Sequence, residues 1–380
     1  MRQVFQSAST SSMVIDRRNV LLGTLSATAL ARFGSTAAIA ADTLQAAFVS
    51  AARMPDGSYA ILLLATDGNV LRQVPLSARG HDIALHRVTG RAVAFARRPG
   101  TFAVAFDSAG AREPTVFNAI EGRHFYGHGA FSTDGKLLYV SENDIANGRG
   151  VIGIYDVDAG YKRIGEHPSH GVGPHEIILL SDGRTLAIAN GGIDTVPEAG
   201  RAMLNLEEMQ PNLAFADAES GALIARHELS ADLNRLSIRH IAADANGAVW
   251  FGGQWEGDLE ATPELIGRAT RDTPIRLITP ASALGADLKG YIGSVAVACD
   301  GGMIAASAPK AGRIIYVNTA DGAVVDNSPL PDGCGVAGEE HARFCVTSGL
   351  GAFRHEAPGT RILSERVLEG IAFDNHLRRL

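Results

Sequence analysis

Short apolar runs bounded by Gly, Asp or Asn dominate most of the chain, and helical periodicity is scarce. Runs of four to six apolar residues between turn residues are typical of β-strands. Many of the runs come in pairs separated by an Asp-Gly or Asn-Gly turn, which is the strongest local signal for a β-hairpin. Examples of such runs lie at 59–64, 92–95, 137–140, 185–188 and 248–251.

The turns recur at an average spacing of about 48 residues, which is within the range of four-stranded propeller blades. They lie near Gly57, Gly90, Gly135, Gly183, Gly247 and Gly301, with a last, degenerate unit at 335–353. We therefore predict an all-β fold: residues 42–380 form a single seven-bladed β-propeller of four-stranded antiparallel blades, with six or eight blades as the alternatives. The strand-like ends at 44–49 and 370–373 are expected to share one blade, because closing the ring removes exposed sheet edges.

One histidine occupies the same point in four successive repeats, just before the first apolar run of each: His81, His128, His175 and His240. The first strand of a blade lines the central channel, so we expect residues that precede it to converge on one face near the axis. Neutral imidazoles suit late first-row transition metals. The sequence therefore predicts a metal site with these four histidines as ligands to iron, copper or zinc.

Polar residues after the second strand of each blade are expected on the same face, because two antiparallel strands return the chain there. Glu176, beside His175, is expected to orient an imidazole. The predicted rim and supporting residues are Glu142, Asn143, Asp144, Glu176, Asn190, Asp194, Tyr126 and Tyr291. Because Tyr291 stands where blade six should have a histidine, we expect an incomplete ring. An insertion at 195–211 is expected to cover this face as a lid or to pack as a solvated loop.

A structural role for the histidines is the competing interpretation. WD-repeat propellers carry a Gly-His pair at the same inter-blade connection, and Gly80-His81 and Gly127-His128 look like that pair. Two observations favour a functional ring: the Trp-Asp partner motif is absent, and Pro174-His175 and Arg239-His240 lack the glycine. The remaining histidines are scattered and are expected at the surface or in packing positions: His86, His124, His167, His170, His227, His341, His355 and His376.

Residues 1–41 have the pattern of an export signal. Arg17-Arg18 precede an apolar, small-residue stretch that ends at Ala38-Ile39-Ala40, an A-x-A-type cleavage site. This pattern predicts a twin-arginine signal and export of the folded protein to the periplasm, with an ordinary secretory signal as the alternative. Arg32 interrupts the stretch, which is too short for a membrane span, so stable membrane insertion is not expected.

The net charge of the chain limits the classes of molecule that it is expected to bind. The chain has 34 basic and 41 acidic residues, a net charge of −7. Arg2, Arg17, Arg18 and Arg32 lie in the leader with Asp16, so the mature chain is near −10. Such a charge argues against nucleic acid and anionic membrane surfaces. A monomer is expected.

Three cysteines are present, and no Cys-x-x-Cys motif occurs. Covalent haem is therefore not expected, and neither is a nucleotide cofactor. Cys334 and Cys345 form either a disulfide in an oxidising compartment or two buried free thiols. Cys299 follows an apolar strand run and is expected in the core.

The chain resembles the bacterial periplasmic propellers of domain of unknown function family 1513. The resemblance covers nearly all of the mature chain. It rests on 126–129 with 141–144, on 171–176, on 189–193 and on 205–211 (Tyr-Gly-His-Gly, Ser-Glu-Asn-Asp, Gly-Val-Gly-Pro-His-Glu, Ala-Asn-Gly-Gly-Ile and Asn-Leu-Glu-Glu-Met-Gln-Pro). It implies a seven-bladed propeller similar to surface-layer and quinoprotein-like propellers. It also implies association with iron-uptake gene clusters that encode imelysin-type lipoproteins and di-haem peroxidase-like proteins, and it assigns no catalytic residue.

Three functions are consistent with these patterns. The first is a periplasmic protein that binds or handles a transition metal, iron or copper above all, as an accessory to iron-uptake proteins. The second is a scaffold that binds a periplasmic partner and needs no ion. The third is a lactonase-type metal-dependent hydrolase, which rests on analogy of fold alone. No nucleophile elbow or triad motif is present, so catalysis is not the leading interpretation.

Overall fold

Seven four-stranded antiparallel sheets make up the described part of the chain, in agreement with the predicted blade count. The computed structural model describes residues 45–98, 100–195, 205–258, 260–261, 263–279, 288–359 and 362–380. The predicted export signal at 1–41 lies outside the described residues, as does most of the predicted lid, at 196–204.

In chain order, the first fifteen strands are β1 (Phe48–Arg53), β2 (Tyr59–Leu64), β3 (Val70–Leu76), β4 (Gly80–His86), β5 (Arg91–Ala96), β6 (Phe102–Asp107), β7 (Thr115–Asn118), β8 (Arg123–Phe131), β9 (Leu137–Asp144), β10 (Arg149–Asp156), β11 (Lys162–Pro168), β12 (Pro174–Leu179), β13 (Thr185–Asn190), β14 (Asn212–Asp217) and β15 (Leu223–Glu228). The others are β16 (Leu236–Ala243), β17 (Val249–Trp255), β18 (Ile266–Thr270), β19 (Thr273–Leu277), β20 (Ser294–Val297), β21 (Met303–Ala308), β22 (Arg313–Asn318), β23 (Val324–Pro329), β24 (Gly333–Gly338), β25 (Phe344–Ser348), β26 (Ala352–Glu356), β27 (Ser364–Val367) and β28 (Ala372–Arg379). Short 3₁₀ turns lie at Ile145–Asn147, Leu206–Glu208, Ala231–Leu233 and Pro309–Ala311.

The blades form a closed ring. The innermost strands, β28, β4, β8, β12, β16, β20 and β24, each contact the innermost strand of both neighbouring blades. Blade 1 consists of β28, β1, β2 and β3, so the last strand of the chain pairs with the first. The predicted sharing of one blade by the two ends is therefore confirmed, and the unit expected to be degenerate is a full four-stranded blade, β24–β27.

The hydrophobic core is divided among the blade interfaces, with one apolar cluster between each pair of neighbouring blades. Between blades 2 and 3, for example, Phe95 and Phe117 pack on Phe125 and Tyr155. A middle strand is buried on both faces, as in Thr185–Asn190, so it reads as a continuous apolar run. Outermost strands such as Lys162–Pro168 are mostly exposed or half-buried, which explains why the sequence signal for them is weak.

The cysteines are free thiols. Cys334 and Cys345 are both buried in the cluster between blades 7 and 1, and burial raises the pKa of each thiol. Of the two alternatives left by the sequence, the structure shows the pair of buried thiols. Cys299 is exposed, contrary to the expectation of a core position, because β20 ends at Val297 and the chain then turns. No helix in the described ranges is both long and apolar enough to cross a membrane.

Candidate metal centre in the central channel

The four predicted histidines lie inside the innermost strands rather than in the connections that precede them. The strands begin earlier than the apolar runs indicated; β8, for example, starts at Arg123, five residues before His128. Polar residues before an apolar run still pair with the neighbouring strand. The start of the apolar run therefore does not mark the start of the β-strand. The histidines therefore point at the channel from its wall.

Each of these strands is irregular where its histidine occurs. In blade 2, Gly80 pairs with Ala96 and Ile83 with Ala94, so His81 and Asp82 together face one residue of β5. The registers of β8, β12 and β16 shift between Phe125 and Gly129, Pro174 and Glu176, and Ile238 and His240. A β-bulge bends the strand and re-aims its side chains, and bulges are frequent beside functional sites.

A fifth histidine joins the four that the sequence singles out. His376 lies in β28, where the register against β1 shifts between Phe373 and Leu377, and only 2% of its surface is exposed. The interpretation of His376 as one of the scattered histidines missed this position. The ring is therefore completed from blade 1, while blades 6 and 7 contribute no histidine to it from the described residues.

The five imidazoles form a closed, tightly packed group, which we call the histidine ring (His81, His128, His175, His240 and His376). Successive ring centroids are 4.8 Å (His81–His128), 4.9 Å (His128–His175), 4.8 Å (His175–His240), 4.8 Å (His240–His376) and 4.8 Å (His376–His81) apart. The cross-ring distance between His81 and His240 is 6.3 Å, so the ring is puckered. His175 is half-buried and the other four are buried.

One glycine makes this close packing possible. Gly127 has φ +101°, a conformation that L side chains rarely adopt, and a Cβ there would lie 2.8 Å from Cδ2 of His81. A larger residue at 127 would strain the backbone and displace the imidazole. The glycine before His128 therefore serves the packing of the ring, whatever else the Gly-His pair does.

Buried carboxylates hold several of the ring nitrogens. Nδ1 of His128 lies 2.9 Å from Asp82, and Nδ1 of His81 lies 3.0 Å from Asp374. An ionised carboxylate only accepts hydrogen bonds, so Nδ1 of both imidazoles donates and Nε2 keeps its lone pair. Glu176 lies 3.5 Å from Nδ1 of His240, but the two atoms do not form a hydrogen bond. A histidine oriented in this way by a carboxylate is the arrangement that proteins use around bound metals.

Three arginines neutralise these carboxylates. Arg378 donates to Asp82 (2.8 Å) and to Glu176 (2.7 Å), and Arg79 and Arg97 each lie 2.6 Å from Asp374. Burial opposes ionisation of Glu176, but Arg378 and the neighbouring histidines outweigh it and lower its pKa to about 2. The pKa values of Asp82 and Asp374 are also lowered, because their arginine and histidine partners outweigh burial.

Burial keeps four of the imidazoles neutral. It lowers the pKa of His81 to about 3 and that of His240 to about 4, although their carboxylate partners oppose the shift. The pKa values of His175 and His376 are lowered well below the usual range, also by burial first and then by neighbouring histidines. Neutral imidazole is the form that binds a metal, so these four histidines are in their ligand form at neutral pH.

Four ring nitrogens are buried and have no hydrogen-bond partner in the part of the chain that the structure describes: Nε2 of His128, Nδ1 of His175, Nδ1 of His240 and Nε2 of His376. Buried polar groups in native proteins are nearly always paired, so four exceptions in one cluster require an explanation. Two sets of ligand atoms lie within 4.8 Å of one another: His128, Glu176, His240 and His376, and His81, His128 and His175.

A small cavity opens onto the ring. Its lining comprises His81, Arg97, Arg98, Tyr126, His175, Arg239, His240, Tyr291 and Asn375. The space that the centre of a water molecule can occupy amounts to about 20 Å³. One water needs roughly 10–15 Å³ by this measure. The cavity therefore admits one or two water-sized groups beside the ring and no bulky substrate.

The predicted rim residues divide into two groups. Tyr126 and Tyr291 line the cavity, and Glu176 lies within the ring as expected. Glu142, Asn143, Asp144, Asn190 and Asp194 are held elsewhere. Glu142 accepts from Tyr155 and Arg163, and Asp144 pairs with Arg123 and Arg149.

The three remaining rim residues bind neighbouring loops. Asn143 donates to the carbonyl of Thr195, Asn190 donates to Asn212, and the amide of Asp194 donates to Asn205. The Asn143 contact links blade 3 to the segment after β13 of blade 4, and the other two contacts lie within blade 4 and its insertion. The described end of the predicted lid, Thr195, contacts His124 and Asn143.

Comparison with known proteins agrees with this architecture. A model of the family described as "Protein of unknown function (DUF1513)" matches residues 74–380. The chain belongs to the DUF1513 family. No curated protein matches this DUF1513 chain.

Solved structures show similarity to the DUF1513 chain in fold alone. Hydrazine synthase from Kuenenia stuttgartiensis has a TM-score of 0.56 at 11% identity, over 83% of this chain and 96% of that one. The Swd1 β-propeller domain from Myceliophteria thermophila has a TM-score of 0.56 at 12% identity, over 80% and 93%. BamB from Moraxella catarrhalis has a TM-score of 0.50 at 11% identity, over 85% and 86%.

Proposed function

We propose that the histidine ring binds one transition metal ion, iron, copper or zinc, and that this DUF1513 protein handles that ion in the periplasm. The observation that carries the proposal is the set of four buried ring nitrogens without hydrogen-bond partners among the described residues. An ion bound by these nitrogens would accept their lone pairs. Buried nitrogens without a metal normally use these lone pairs in hydrogen bonds to other protein groups.

The donor set fits such an ion in chemistry and nearly in size. Imidazole nitrogens with one carboxylate suit iron, copper and zinc. Ligands on opposite sides of an ion at about 2.1 Å lie roughly 4.2 Å apart. The ligand atoms of His128, Glu176, His240 and His376 lie within 4.8 Å of one another. Ligands on opposite sides of an ion would need movements of a few tenths of an ångström to reach bonding distance; a tetrahedral set, with ligand atoms roughly 3.4 Å apart, would need movements of up to about 0.8 Å.

The surrounding residues would prepare the ligands. Asp82 and Asp374 fix the Nδ1 protons of His128 and His81. The lone pair of each Nε2 is then available to bind the ion. Arg378 keeps Asp82 and Glu176 ionised through its two contacts. When bound, the ion would supply Lewis acidity or redox chemistry at a position beside the small cavity.

A role beside iron-uptake proteins in the periplasm is part of the same proposal. The Arg17-Arg18 pattern supports export of the folded protein, a route by which a cofactor can be loaded before export. The net negative charge is compatible with cationic cargo. The family resemblance supports association with iron-uptake clusters.

Elemental analysis of the exported protein tests the proposal. We expect about one equivalent of iron, copper or zinc in the wild type, and loss of that metal in the His128→Ala/His175→Ala/His240→Ala variant, because three ligands are removed. His227→Ala is the matched control, since His227 lies on the outer strand β15 and contacts the carbonyl of Thr270.

Circular dichroism of each variant verifies that the propeller is folded before its metal content is compared. Absence of metal from wild type, even after reconstitution with each of the three ions, would refute the proposal. The ring would then be a structural element, and partner-protein capture would be the function to test.

A further inference from the structure

The cavity above the histidine ring is lined by positive charge. Arg97, Arg98 and Arg239 all contribute to its wall, and Tyr126, Tyr291 and Asn375 supply further polar groups. These side chains come from blades 1, 2, 3 and 5 and from the segment before blade 6, so the ring fold brings them together. No carboxylate is among the residues that line the cavity in the described part of the chain.

The carboxylates around the ring are already paired with arginines. Arg378, Arg97 and Arg79 pair with Asp82, Glu176 and Asp374, and Arg239 pairs with Glu256 at 2.9 Å. A divalent cation in such a buried, paired cluster would add uncompensated positive charge. Burying such a charge is costly unless a counter-charge accompanies it.

A hydroxyl group in the cavity wall is a second, independent observation that points to a bound counter-anion. Tyr126 is 2% exposed, and its hydroxyl oxygen has no hydrogen-bond partner among the residues described. The neighbouring Asn375 donates to the hydroxyl of Tyr291 at 2.6 Å, which leaves the Tyr291 proton available to an acceptor. Arginine and phenol donors around a small space are the groups that bind an oxyanion.

We infer that the cavity binds a small planar oxyanion of the carbonate or carboxylate class, which completes the coordination of the ion in the histidine ring. The inference rests on the proposed metal function. One oxygen of the anion would face the ion, and the others would accept hydrogen bonds from the arginines and tyrosines. The space of about 20 Å³ encloses only one or two atoms of such an anion, which must therefore be small.

Metal and anion should then strengthen each other's binding. Coupling between two bound ligands is reciprocal and is typically 5–150-fold. We expect saturating bicarbonate to tighten Cu²⁺ binding by about tenfold or more and to shift the d–d absorption band of the bound ion. Isothermal titration of Cu²⁺ into metal-free protein, in buffer depleted of bicarbonate and then supplemented at constant ionic strength, measures the factor.

A double substitution isolates the anion subsite. The variant that combines Arg239→Gln with Glu256→Gln replaces both members of an ion pair, so no buried charge is left without a partner. We expect Cu²⁺ binding without bicarbonate to be retained, the bicarbonate effect to fall below about threefold, and Arg239→Lys to restore part of it. Arg235→Gln, in the same blade but paired with Glu207, is the control.

The outcomes separate the two proposals. Cu²⁺ binding that is insensitive to bicarbonate would overturn the anion inference and leave the metal function standing. An equal effect of phosphate or chloride would overturn the assignment of a small planar oxyanion. Absence of Cu²⁺ binding under both conditions, with iron and zinc also failing to bind, would remove the proposed function and the inference with it.

Discussion

Two clusters in this propeller contain the same number of ion-paired groups, three carboxylates and three arginines, but only one contains imidazoles. The outer network lies in blade 3 and consists of Glu142, Asp144, Glu166, Arg123, Arg149 and Arg163. The central cluster consists of the histidine ring with Asp82, Glu176, Asp374, Arg79, Arg97 and Arg378.

The outer network satisfies its acids with arginines and one tyrosine. Glu166 contacts all three arginines, and Glu142 accepts from Tyr155 and Arg163. The central cluster pairs its acids equally well and still leaves four imidazole nitrogens without partners among the described residues. A buried charged cluster is therefore not by itself evidence of a ligand site. The neutral imidazole nitrogens without hydrogen-bond partners distinguish the central cluster from the outer network.

The largest expected effect comes from breaking the charge pairing of the central cluster. Arg378→Met leaves Asp82 and Glu176 without their arginine, and removing one partner of a buried ion pair costs about 3–5 kcal/mol. Guanidinium chloride unfolding of the metal-free protein measures the loss. The next residue provides the control, because Arg379 is more exposed and lies 4.0 Å from Glu340, so Arg379→Met should cost less than about 1 kcal/mol. Equal losses in the two variants would contradict our assignment of Arg378.

A smaller effect should separate the two clusters by metal affinity. Asp82→Asn removes the carboxylate that orients His128, and loss of such a partner typically weakens metal binding 10–100-fold, or about 1.4–2.7 kcal/mol. Asp144→Asn makes the same chemical change in the outer network and should leave the affinity unchanged. Competition with a chelator of known affinity gives both values. A weakened Asp144→Asn variant would mean that the effect is one of general stability.

A third difference between the clusters is the acid sensitivity of the metal-free protein. Burial holds the pKa of His240 at about 4, below the 6.5 of an exposed histidine, so the unfolded chain binds a proton that the folded protein does not. That contribution to stability is present above pH 6.5 and is lost as the pH falls from 6.5 through about 4. Its slope is about 1.4 kcal/mol per pH unit for each such histidine.

The outer network should respond only at lower pH. The arginines outweigh burial and lower the pKa of Glu166 below 4.5, so its contribution is lost only below that pH. We expect His240→Gln to flatten the stability profile between pH 6.5 and 4.5, and Glu166→Gln to leave that window unchanged. Urea unfolding at half-unit pH intervals measures both profiles. An unchanged slope in His240→Gln would show that this imidazole is not buried and neutral in the folded protein.

The low pKa values of His81 and His240 also lower the pH at which protons would displace the proposed ion from these two imidazoles. An exposed imidazole begins to lose its metal near pH 6. Protons compete with the ion at His81 and His240 only nearer pH 3–4, because burial already excludes the imidazolium form.

The sequence predicts the fold well because the blade signal is local. Turn pairs such as Asp134-Gly135 recur, and the middle strands are apolar on both faces. Four ring histidines follow from the repeat for the same reason. His376 does not follow, because its strand lies at the other end of the chain from the rest of blade 1 and has no turn after it. Its one available signal was the strand-like run before Asp374.

The supporting residues are harder to predict because they depend on register. Asp82 and Glu176 each follow a ring histidine, but their role depends on bulges that repeat spacing does not reveal. Glu142 and Asp144 follow an apolar run just as a rim residue would. Their arginine partners come from three different strands, β8, β10 and β11, and only the pairing of those strands assigns them to blade 3.

The order of synthesis gives the closing strand a consequence of its own. β28 brings His376, Asp374 and Arg378 to the centre, and Arg378 meets Asp82 across 296 positions of sequence. While a ribosome is still making the chain, the centre lacks an imidazole, a carboxylate and an arginine, so its full ligand set appears only after the last blade is completed. An ion that prefers the finished centre stabilises the closed circle over every open form. If the centre binds the proposed ion, occupancy would mark complete assembly, because a chain that retains the ion has joined its two ends.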